Sequence, residues 1–320
     1  MIFRQNVFDR YWKFAAERQC IFFNRIKNRL TPWNWTNNPI FQEYKFCNTY
    51  RASDRVSQYL IKDVIYKGSQ NSEDVIFKVL LFRMFNKIET WQFFEKKLGE
   101  IRLKSFNFDH YATILSEHKK KGNVIFGNAF ILCANKTFGY DEKHLNYLSL
   151  IDLMNKKERI AQKIIQAKNL KSIFLILSSY PLLGNFMAYQ IAIDLNYSEV
   201  INFSENDFTI AGPGAIRGIK KCFIDTDGKD YEYIIKWMVD NQEFHFNRLD
   251  IKFQTLWGRR LYAIDCQGLF CEVDKYARVA FPDLKSNRKR IKSTFKPNLN
   301  QIDYFYPPKW NINDNVLKKC

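Results

Sequence analysis

The stretch SSYPLLGNFMAYQIAIDL, residues 178–195, decides the fold that we predict for this chain. An apolar run ends at Ser-Ser-Tyr-Pro, turns over Leu-Leu-Gly, and starts again as a second apolar helix. A proline and a glycine this close together mark a tight turn between helices. The pattern therefore predicts a helix–turn–helix over residues 172–194.

Two interpretations of this turn are open. In the first, it is a helix–hairpin–helix that contacts DNA without reading its sequence, through backbone N–H groups that face a phosphate. Gly184 would let the phosphate come close, and Asn185 would stand beside it at the start of the second helix. In the second interpretation, the turn belongs to an ordinary αα-hairpin inside a helical bundle.

Charge and composition restrict the class of partner. The 320 residues include 50 Lys and Arg against 33 Asp and Glu, a formal net charge of +17, and 46% are hydrophobic, as in globular proteins. An excess of positive charge this large predicts an anionic partner, either nucleic acid or a membrane surface, and of the two we expect DNA. No apolar run reaches about 18 residues, so we expect no membrane-spanning helix and no membrane partner.

The cysteines and histidines predict neither a disulfide framework nor a metal site. The seven cysteines are odd in number, scattered and without a C-x-x-C pair, and the histidines show no paired metal-ligand spacing. The N-terminus carries charges throughout and lacks the apolar core of a signal peptide. We therefore expect an intracellular protein, in the cytoplasm or nucleoid or in a eukaryotic nucleus, with no metal and no cofactor.

Helical periodicity runs along most of the chain, and strand-like alternation is scarce. The predicted fold is therefore mainly α, with a single helical domain over residues 1–293 and an extended polar tail over residues 294–320. Helices are predicted at 7–28, 54–66, 73–98 with Ser72 as its cap, 141–155, 157–169 and 230–241, a buried segment at 124–137, and a Gly/Pro loop at 211–218.

The hairpin and its sequel resemble the helix–hairpin–helix DNA glycosylase superfamily. Residues 203–207 read FSEND, so that an acidic pair, Glu205 and Asp207, follows the turn. The resemblance covers residues 172–215. It implies a glycosylase-like helical fold, a base flipped into a pocket, and Asp207 acting on the reacting nucleotide.

Two positions depart from the pattern of that superfamily. Leu182 stands where the first glycine of the turn is usual, and Phe186 stands where lyase-type members carry their nucleophilic lysine. The second departure argues against Schiff-base lyase chemistry at the usual place.

Five longer blocks carry a second resemblance: YWKFAAERQCIFF (11–23), KFCNTYRASDRVSQYLI (45–61), EDVIFKVLLFRMFNKIETW (73–91), NFSENDFTIAGPGAIRGIKKCF (202–223) and IDCQGLFCEVDKYARVA (264–280). They resemble the DNA base hypermodification proteins. That family is related to the α-glutamyl/putrescinyl-thymine pyrophosphorylases and is often labelled after a helical domain of hydroxymethyluracil DNA kinases.

This second resemblance implies that a glycosylase-like fold acts on a base derived from 5-hydroxymethyluracil in DNA. Pyrophosphate would leave the 5-methylene group, and an amine or a similar nucleophile would take its place. A separate hydroxymethyluracil DNA kinase would then be a partner that prepares the substrate. Two alternatives stay open: a glycosylase that excises a modified base, and a non-catalytic reader of modified DNA.

A glycine-rich segment is the predicted anion-binding loop. GPGAIRGIKK (212–221) offers Gly212, Gly214, Arg217 and Lys220 for phosphate contact, and a structural turn into the next helix is the alternative. The Walker pattern GxxxxGK[ST] is absent from the sequence, so a kinase with that phosphate loop is not supported.

Two acidic positions are the first candidates for acid/base catalysis. Glu205 and Asp207, two apart on a loop, can face one pocket, and helix capping is their alternative. Asp274 and Lys275 are further catalytic candidates, for which an i,i+4 ion pair of Asp274 with Arg278 is the alternative.

Two basic segments complete the predicted DNA contacts. Arg51 and Arg55 are expected to share one helical face with Asp54 and to bind phosphate, or else to form a buried ion network. The run KSNRKRIKSTFK, residues 285–296, predicts sequence-independent contact with the phosphate backbone, with a solvated tail as the alternative.

Overall fold

The structure is a computed structural model, and it describes residues 1–129, 133–284, 290–291 and 293–317. Its helices are α1 (Gln5–Lys27), α2 (Pro39–Glu43), α3 (Arg55–Tyr59), α4 (Ser72–Phe85), α5 (Ile88–Leu98), α6 (Phe108–Lys120), α7 (Lys143–Asp152), α8 (Ile160–Ile165), α9 (Leu170–Ser178), α10 (Asn185–Leu195), α11 (Pro213–Cys222), α12 (Tyr231–Asp240), α13 (Gln242–Arg248), α14 (Ala263–Ala280) and α15 (Asn313–Leu317). Two short strands, β1 (Ile2–Phe3) and β2 (Phe223–Asp225), pair antiparallel. The mainly α prediction is confirmed.

The chain forms two compact units. Unit 1 combines Met1–Asp54 with the residues from Phe208 onward, and unit 2 is Arg55–Asp207. A single glycosylase-like domain over residues 1–293 stays a prediction. No helix of the described residues is long and apolar enough to cross a membrane.

Unit 1 is built around α1 and α14, because both helices bury long apolar faces. Trp12 of α1 is fully buried and stacks on the imidazole of His245, with 5.2 Å between the ring centroids. Burial lowers the pKa of His245 to about 4, so this histidine is neutral at neutral pH. The aromatic layer between α1 and α13 is therefore apolar core.

The predicted Gly/Pro loop at 211–218 is wrong, because this segment begins helix α11. Pro213 occupies the first helical position, where its missing N–H and its restricted φ suit a helix start. The two internal glycines allow close packing on α14. A Cβ on Gly218 would lie 2.0 Å from the Phe270 carbonyl oxygen, and one on Gly214 would lie 2.8 Å from Cys271 Sγ.

Unit 2 contains two further corrections. The single helix predicted at 73–98 is two helices, because Asn86 takes a left-handed conformation (φ 47°) and ends α4. The N-cap of α4 is Asn71, whose side chain accepts a hydrogen bond from the Glu73 N–H at 2.9 Å, and Ser72 is the first helical residue.

Other predicted elements are confirmed in part. The helix predicted at 54–66 is observed as α3 followed by a π-helix at Leu60–Ile65. The helix predicted at 141–155 is α7 followed by a π-helix at Leu153–Lys157. The helix predicted at 157–169 is the shorter α8. The buried segment predicted at 124–137 is wrong for its described residues, of which Ile125 alone is buried. Helices α1 and α12 match their predictions closely.

The described part of the predicted tail, residues 294–317, belongs to unit 1. Most of it has no regular secondary structure, but it contains a 3-10 turn at Pro308–Trp310 and the short helix α15, and Tyr306 is fully buried. The hydroxyl of Tyr306 lies 2.9 Å from the Ser53 hydroxyl. This segment therefore contributes side chains to the core of unit 1.

Candidate functional site

The helix–turn–helix predicted from residues 178–195 is present in unit 2 as α9, a turn, and α10. The turn is closed by a hydrogen bond of 3.3 Å from the Leu183 N–H to the Tyr180 carbonyl, and Leu183 is buried. Leu182 has a φ of 69°, in the left-handed region. That conformation costs a leucine about 1–2 kcal/mol, whereas a glycine adopts it without this cost.

Gly184 is the N-cap of α10 and is exposed. Its φ is −71°, which any residue adopts, and a Cβ added to it would meet no atom within 4 Å. The first helical hydrogen bond runs from the Ala188 N–H to the Gly184 carbonyl at 3.0 Å. The N–H of exposed Asn185 therefore lies in the first turn, where N–H groups have no acceptor within the helix. Neither backbone strain nor crowding within the protein requires a glycine at 184.

The predicted acid/base pair lies in the same unit on an irregular segment. Glu205 is buried, Asp207 is exposed, and the Asp207 N–H contacts the Ser204 carbonyl at 3.4 Å. Neither residue is a helix cap, since α11 is capped by Gly212. The two carboxylates have different environments, and their catalytic roles stay predictions.

Asp274 is the centre of an ion network in unit 1. Its fully buried carboxylate contacts Arg217 Nε at 3.0 Å, Lys221 Nζ at 3.0 Å and an Arg278 amino group at 2.5 Å. Burial favours the neutral carboxyl, but the hydrogen bonds and charges of Arg278 and Lys221 outweigh burial and lower the pKa of Asp274. The i,i+4 pair with Arg278 is present, and three cations surround this carboxylate.

Two of the residues predicted to bind an anion in segment 212–221 already have contacts within the protein. Gly214 packs on α14, and Arg217 is paired with Asp274. Lys220 is exposed at the end of α11. Contact of Gly212, Gly214, Arg217 or Lys220 with phosphate stays a prediction.

The prediction that Arg51, Asp54 and Arg55 share one helical face is wrong. Arg51 lies in a 3-10 turn (Arg51–Ser53), Asp54 is extended, and Arg55 begins α3. The backbone N–H of Arg51 donates to Asp265 Oδ1 at 3.0 Å, and the Arg55 side chain is exposed. Phosphate contact by either arginine stays a prediction.

A second polar cluster in unit 1 was not expected from sequence. We call it the Arg18 cluster; it consists of Arg18, Cys47, Asp54, Glu272 and Lys275. Glu272 accepts hydrogen bonds from the Cys47 N–H at 3.0 Å and from Lys275 Nζ at 2.5 Å. Although burial favours the neutral amine, the Glu272 carboxylate raises the pKa of Lys275.

Two members of the Arg18 cluster have shifted pKa values for one main reason. Burial lowers the pKa of the half-buried Arg18 guanidinium, against the charges of Asp54 and Glu272. Burial also raises the pKa of Asp54 to about 6, although the Asn48 N–H donates a hydrogen bond of 2.8 Å to its carboxylate. Asp54 therefore titrates close to neutral pH, a property common among catalytic carboxylates.

A basic pocket lies at the C-terminal end of α1. It has a volume of about 310 Å³ and is lined by Arg25, Lys27 and Arg29 and by residues 300–302 and 304, with no acidic residue. Arg25 donates to the carbonyls of Asn298 and Asn300 at 3.1 and 3.3 Å. Most of the neighbouring predicted basic run, residues 285–289 and 292, lies outside the described residues.

The described residues contain no group of three or more His, Cys, Asp or Glu placed to hold a metal ion. The basic pocket is instead suited to anions, because guanidinium and ammonium groups donate hydrogen bonds to oxyanions.

These features define a mainly helical, strongly basic protein that contains a helical hairpin, α9 and α10. The model of a family described as "5-hmdU DNA kinase, helical domain" matches residues 5–286. The chain belongs to that family. It is 24% identical over 292 residues to the 5-hmdU DNA kinase of Bacillus phage SP10, a match that covers 85% of this chain and 45% of that protein. No solved structure matches the chain.

Proposed function

We propose that this chain binds DNA and takes part in the enzymatic modification of 5-hydroxymethyluracil within it. The family to which it belongs is described by a kinase of that nucleoside, and the phage relative carries the same name. The match covers 45% of that relative, and we assign to the matched region the holding of DNA and a part in the reaction at the base.

The main observation that supports DNA binding is the presence of a glycine at position 184. Its φ is ordinary and its missing Cβ leaves open space, so the fold tolerates a larger residue. A glycine is favoured there by a ligand and not by packing within the protein, because it lets a phosphate approach the first N–H groups of α10. Leu182 takes the left-handed conformation at the position of the usual first turn glycine.

The basic pocket at the end of α1 would supply a second contact with DNA phosphates. Its three cations contribute sequence-independent attraction to backbone phosphates, which weakens as salt is added.

Two reactions at the 5-hydroxymethyl group fit this proposal. The first is phosphorylation, in which the hydroxyl oxygen attacks a phosphoryl donor and loses its proton to a base. The second is substitution, in which pyrophosphate leaves and a nucleophile enters. Both reactions need a proton acceptor, and we assign that role to the exposed Asp207, with the buried Glu205 as the alternative.

Binding of labelled duplexes that contain either 5-hydroxymethyluracil or thymine tests the hairpin. Gly184→Ala should fold like the parent chain and bind both duplexes about tenfold more weakly, because its Cβ occupies the place of the phosphate. Gly268→Ala is the matched control, since a Cβ there also meets no atom within 4 Å. Unchanged binding by Gly184→Ala would refute the contact.

Mass spectrometry of nucleosides tests the reaction class. DNA that contains 5-hydroxymethyluracil is recovered from cells that express the chain, and the same experiment is done with Asp207→Asn. A new, heavier pyrimidine nucleoside that Asp207→Asn fails to form supports modification. Release of free base would instead assign excision, and an unchanged nucleoside profile with intact binding would assign a reader.

A further inference from the structure

The loop that follows helix α1, residues 28–35, folds back onto the end of that helix. The indole N–H of Trp35 donates to the Asn28 carbonyl at 2.8 Å, and the Trp35 side chain is buried. The Thr31 N–H donates to the Asn28 carbonyl at 3.2 Å, and the Asn34 N–H donates to the Thr31 carbonyl at 2.9 Å. Hydrogen bonds within the loop therefore fix its course.

Trp33 lies at the centre of this loop and is exposed to water. It is the middle residue of the 3-10 turn Pro32–Asn34, and 66% of its surface is accessible. All seven tryptophans lie within the described residues, and Trp33 is the one that is exposed. Its indole contacts no other aromatic ring in the part of the chain that the structure describes. The large apolar ring of Trp33 is thus available to a partner.

The basic pocket lies directly beside Trp33. Two of its lining residues, Arg29 and Leu30, belong to the same loop. Arg29 comes four residues before Trp33, so their Cα atoms can be at most about 14 Å apart, the reach of a fully extended chain. The hydrogen bonds of the turn shorten that distance further. An exposed ring and a positively charged cavity are therefore neighbours.

The positive charge of this pocket has no carboxylate against it among the described lining residues, which include Arg25, Lys27 and Arg29. Asp303 is exposed and does not line the pocket. Arg25 is held by two backbone carbonyls, whereas the side chains of Lys27 and Arg29 make no hydrogen bond or ion pair with the residues that the structure describes. Both cations can therefore donate to the oxygens of a phosphate.

We propose that the end of α1 binds single-stranded DNA, with Trp33 stacked on an unpaired base and with Arg29 and Lys27 on phosphates of the same strand. A basic groove beside an aromatic ring holds single strands, because every base has a face on which a ring can stack. In a duplex those faces are covered by neighbouring bases, and a base must leave the stack before an enzyme can act on it. This assignment rests on the proposed function only for the choice of DNA as the nucleic acid.

A membrane surface is the other anionic partner for a tryptophan beside cations. A segment that lies in a membrane interface buries a continuous apolar face. The exposed large apolar side chains of this loop are only Trp33 and Leu30, the latter 64% exposed. The cations beside them line a cavity of about 310 Å³. A cavity of this kind fits a strand with projecting phosphates better than it fits a flat surface.

Fluorescence anisotropy with a short labelled thymine-only oligonucleotide, alone and annealed to its complement, tests the stacking contact. Trp33→Ala should bind the single strand about tenfold more weakly and the duplex within about twofold of the parent chain. Trp33→Phe should recover most of the single-strand affinity, because a phenyl ring still stacks. Phe244→Ala is the matched control: this aromatic side chain of α13 is 63% exposed, and its loss should change neither affinity.

Arg29→Gln tests the phosphate contact in the same assay. Single-strand affinity should fall, and the slope of log affinity against log salt concentration should decrease by about 0.7, the value for one phosphate contact on a single strand. Thermal unfolding verifies that the variants fold. Because the Trp33 and Arg29 side chains form no hydrogen bond within the described residues, their replacement should leave Tm unchanged.

Four outcomes would overturn the inference. Two are single-strand binding by Trp33→Ala as tight as that of the parent chain, and an equal loss for single strand and duplex. The others are Trp33-dependent binding to phosphatidylserine vesicles, which would assign a membrane surface, and tighter binding of a uridine-only RNA, which would assign RNA.

The proposed function fails in a different way. The Gly184→Ala test concerns the hairpin of unit 2 and is measured on duplexes. A selective single-strand loss in Trp33→Ala supports the site at the end of α1 whatever the result at Gly184. A parent chain that binds neither the strand nor its duplex would refute DNA binding itself.

Discussion

Arg83 and Asp194 form a fully buried, two-pronged ion pair that ties the second hairpin helix, α10, to α4. The Nε of Arg83 donates to one carboxylate oxygen of Asp194 at 2.5 Å, and an amino group donates to the other at 2.9 Å. A further amino group of Arg83 donates to Asn86 Oδ1 at 2.5 Å. The hairpin is thus held to the core of unit 2 by charge as well as by apolar packing.

Asp194→Asn should destabilise unit 2 by about 3–5 kcal/mol, because it leaves the Arg83 charge buried without a counter-charge. Urea unfolding followed by circular dichroism measures the effect. Asp141→Asn is the control, since Asp141 pairs with Lys136 at an exposed site and its loss should cost under about 1 kcal/mol. A similar small cost for both variants would contradict the prediction.

The two leucines of the hairpin turn should respond differently to truncation. Leu182→Gly is expected to change the free energy of unfolding by less than about 1 kcal/mol, because relief of the left-handed strain offsets the lost contacts and the added chain entropy. Leu183→Ala removes a buried side chain and should cost about 2–5 kcal/mol. Equal losses at the two positions would show that the left-handed turn carries no strain.

Glycines 218 and 268 lie on packed helices of unit 1 and form a matched pair. Gly218→Ala should destabilise by more than about 2 kcal/mol, since its Cβ would overlap the Phe270 carbonyl and force α11 away from α14. Gly268→Ala should stabilise by about 0.5–1 kcal/mol, because alanine is the better helix former and nothing obstructs its Cβ. Equilibrium unfolding of both variants, which should shift in opposite directions, is the measurement.

Asp54→Asn should raise the free energy of unfolding above that of the parent chain by more at pH 8 than at pH 5. Burial raises the pKa of Asp54 to about 6, so its protonated form contributes stability at low pH that is lost as pH rises through 6. The charged and hydrogen-bonding groups that act on it are Arg18, Asn48, Arg51 and Glu272. The amide removes the cost of ionisation, on the order of 2 kcal/mol.

Unfolding of the parent chain, Asp54→Asn and Asp283→Asn at several pH values measures this effect. Asp283 is exposed, so its substitution should add no such pH dependence. A constant difference between Asp54→Asn and the parent chain from pH 5 to pH 8 would contradict the prediction.

The amino-acid sequence allowed several structural predictions. The apolar periodicity predicted α1 and α12, and the proline and glycine within 178–195 predicted the α9–α10 turn, because these signals act over a few neighbouring residues. The break of the 73–98 helix at Asn86 was missed. Asn86, in its left-handed conformation, accepts a hydrogen bond from Arg83 and donates one to the Ala129 carbonyl, and residue 129 lies outside the local pattern.

The segment GPGAIRGIKK shows a different limit of sequence reasoning. Its glycines and proline indicated a loop over residues 211–218, because glycine and proline disfavour helix interiors. In the structure, Gly218 allows α11 to lie against the backbone of α14, a requirement set by a helix distant in sequence. Contact between helices outweighs local propensity here, since no other residue fits the interface.

By itself, the sequence determined the helical character, the basic charge and the position of the hairpin, because periodicity, composition and turn residues act locally. Only the tertiary structure decided which charges meet. Arg18 of α1, Asp54 after a 3-10 turn and Glu272 of α14 are far apart along the chain, and no spacing relates them. Folding brings their charges within range of each other, and it leaves Arg18 half-buried.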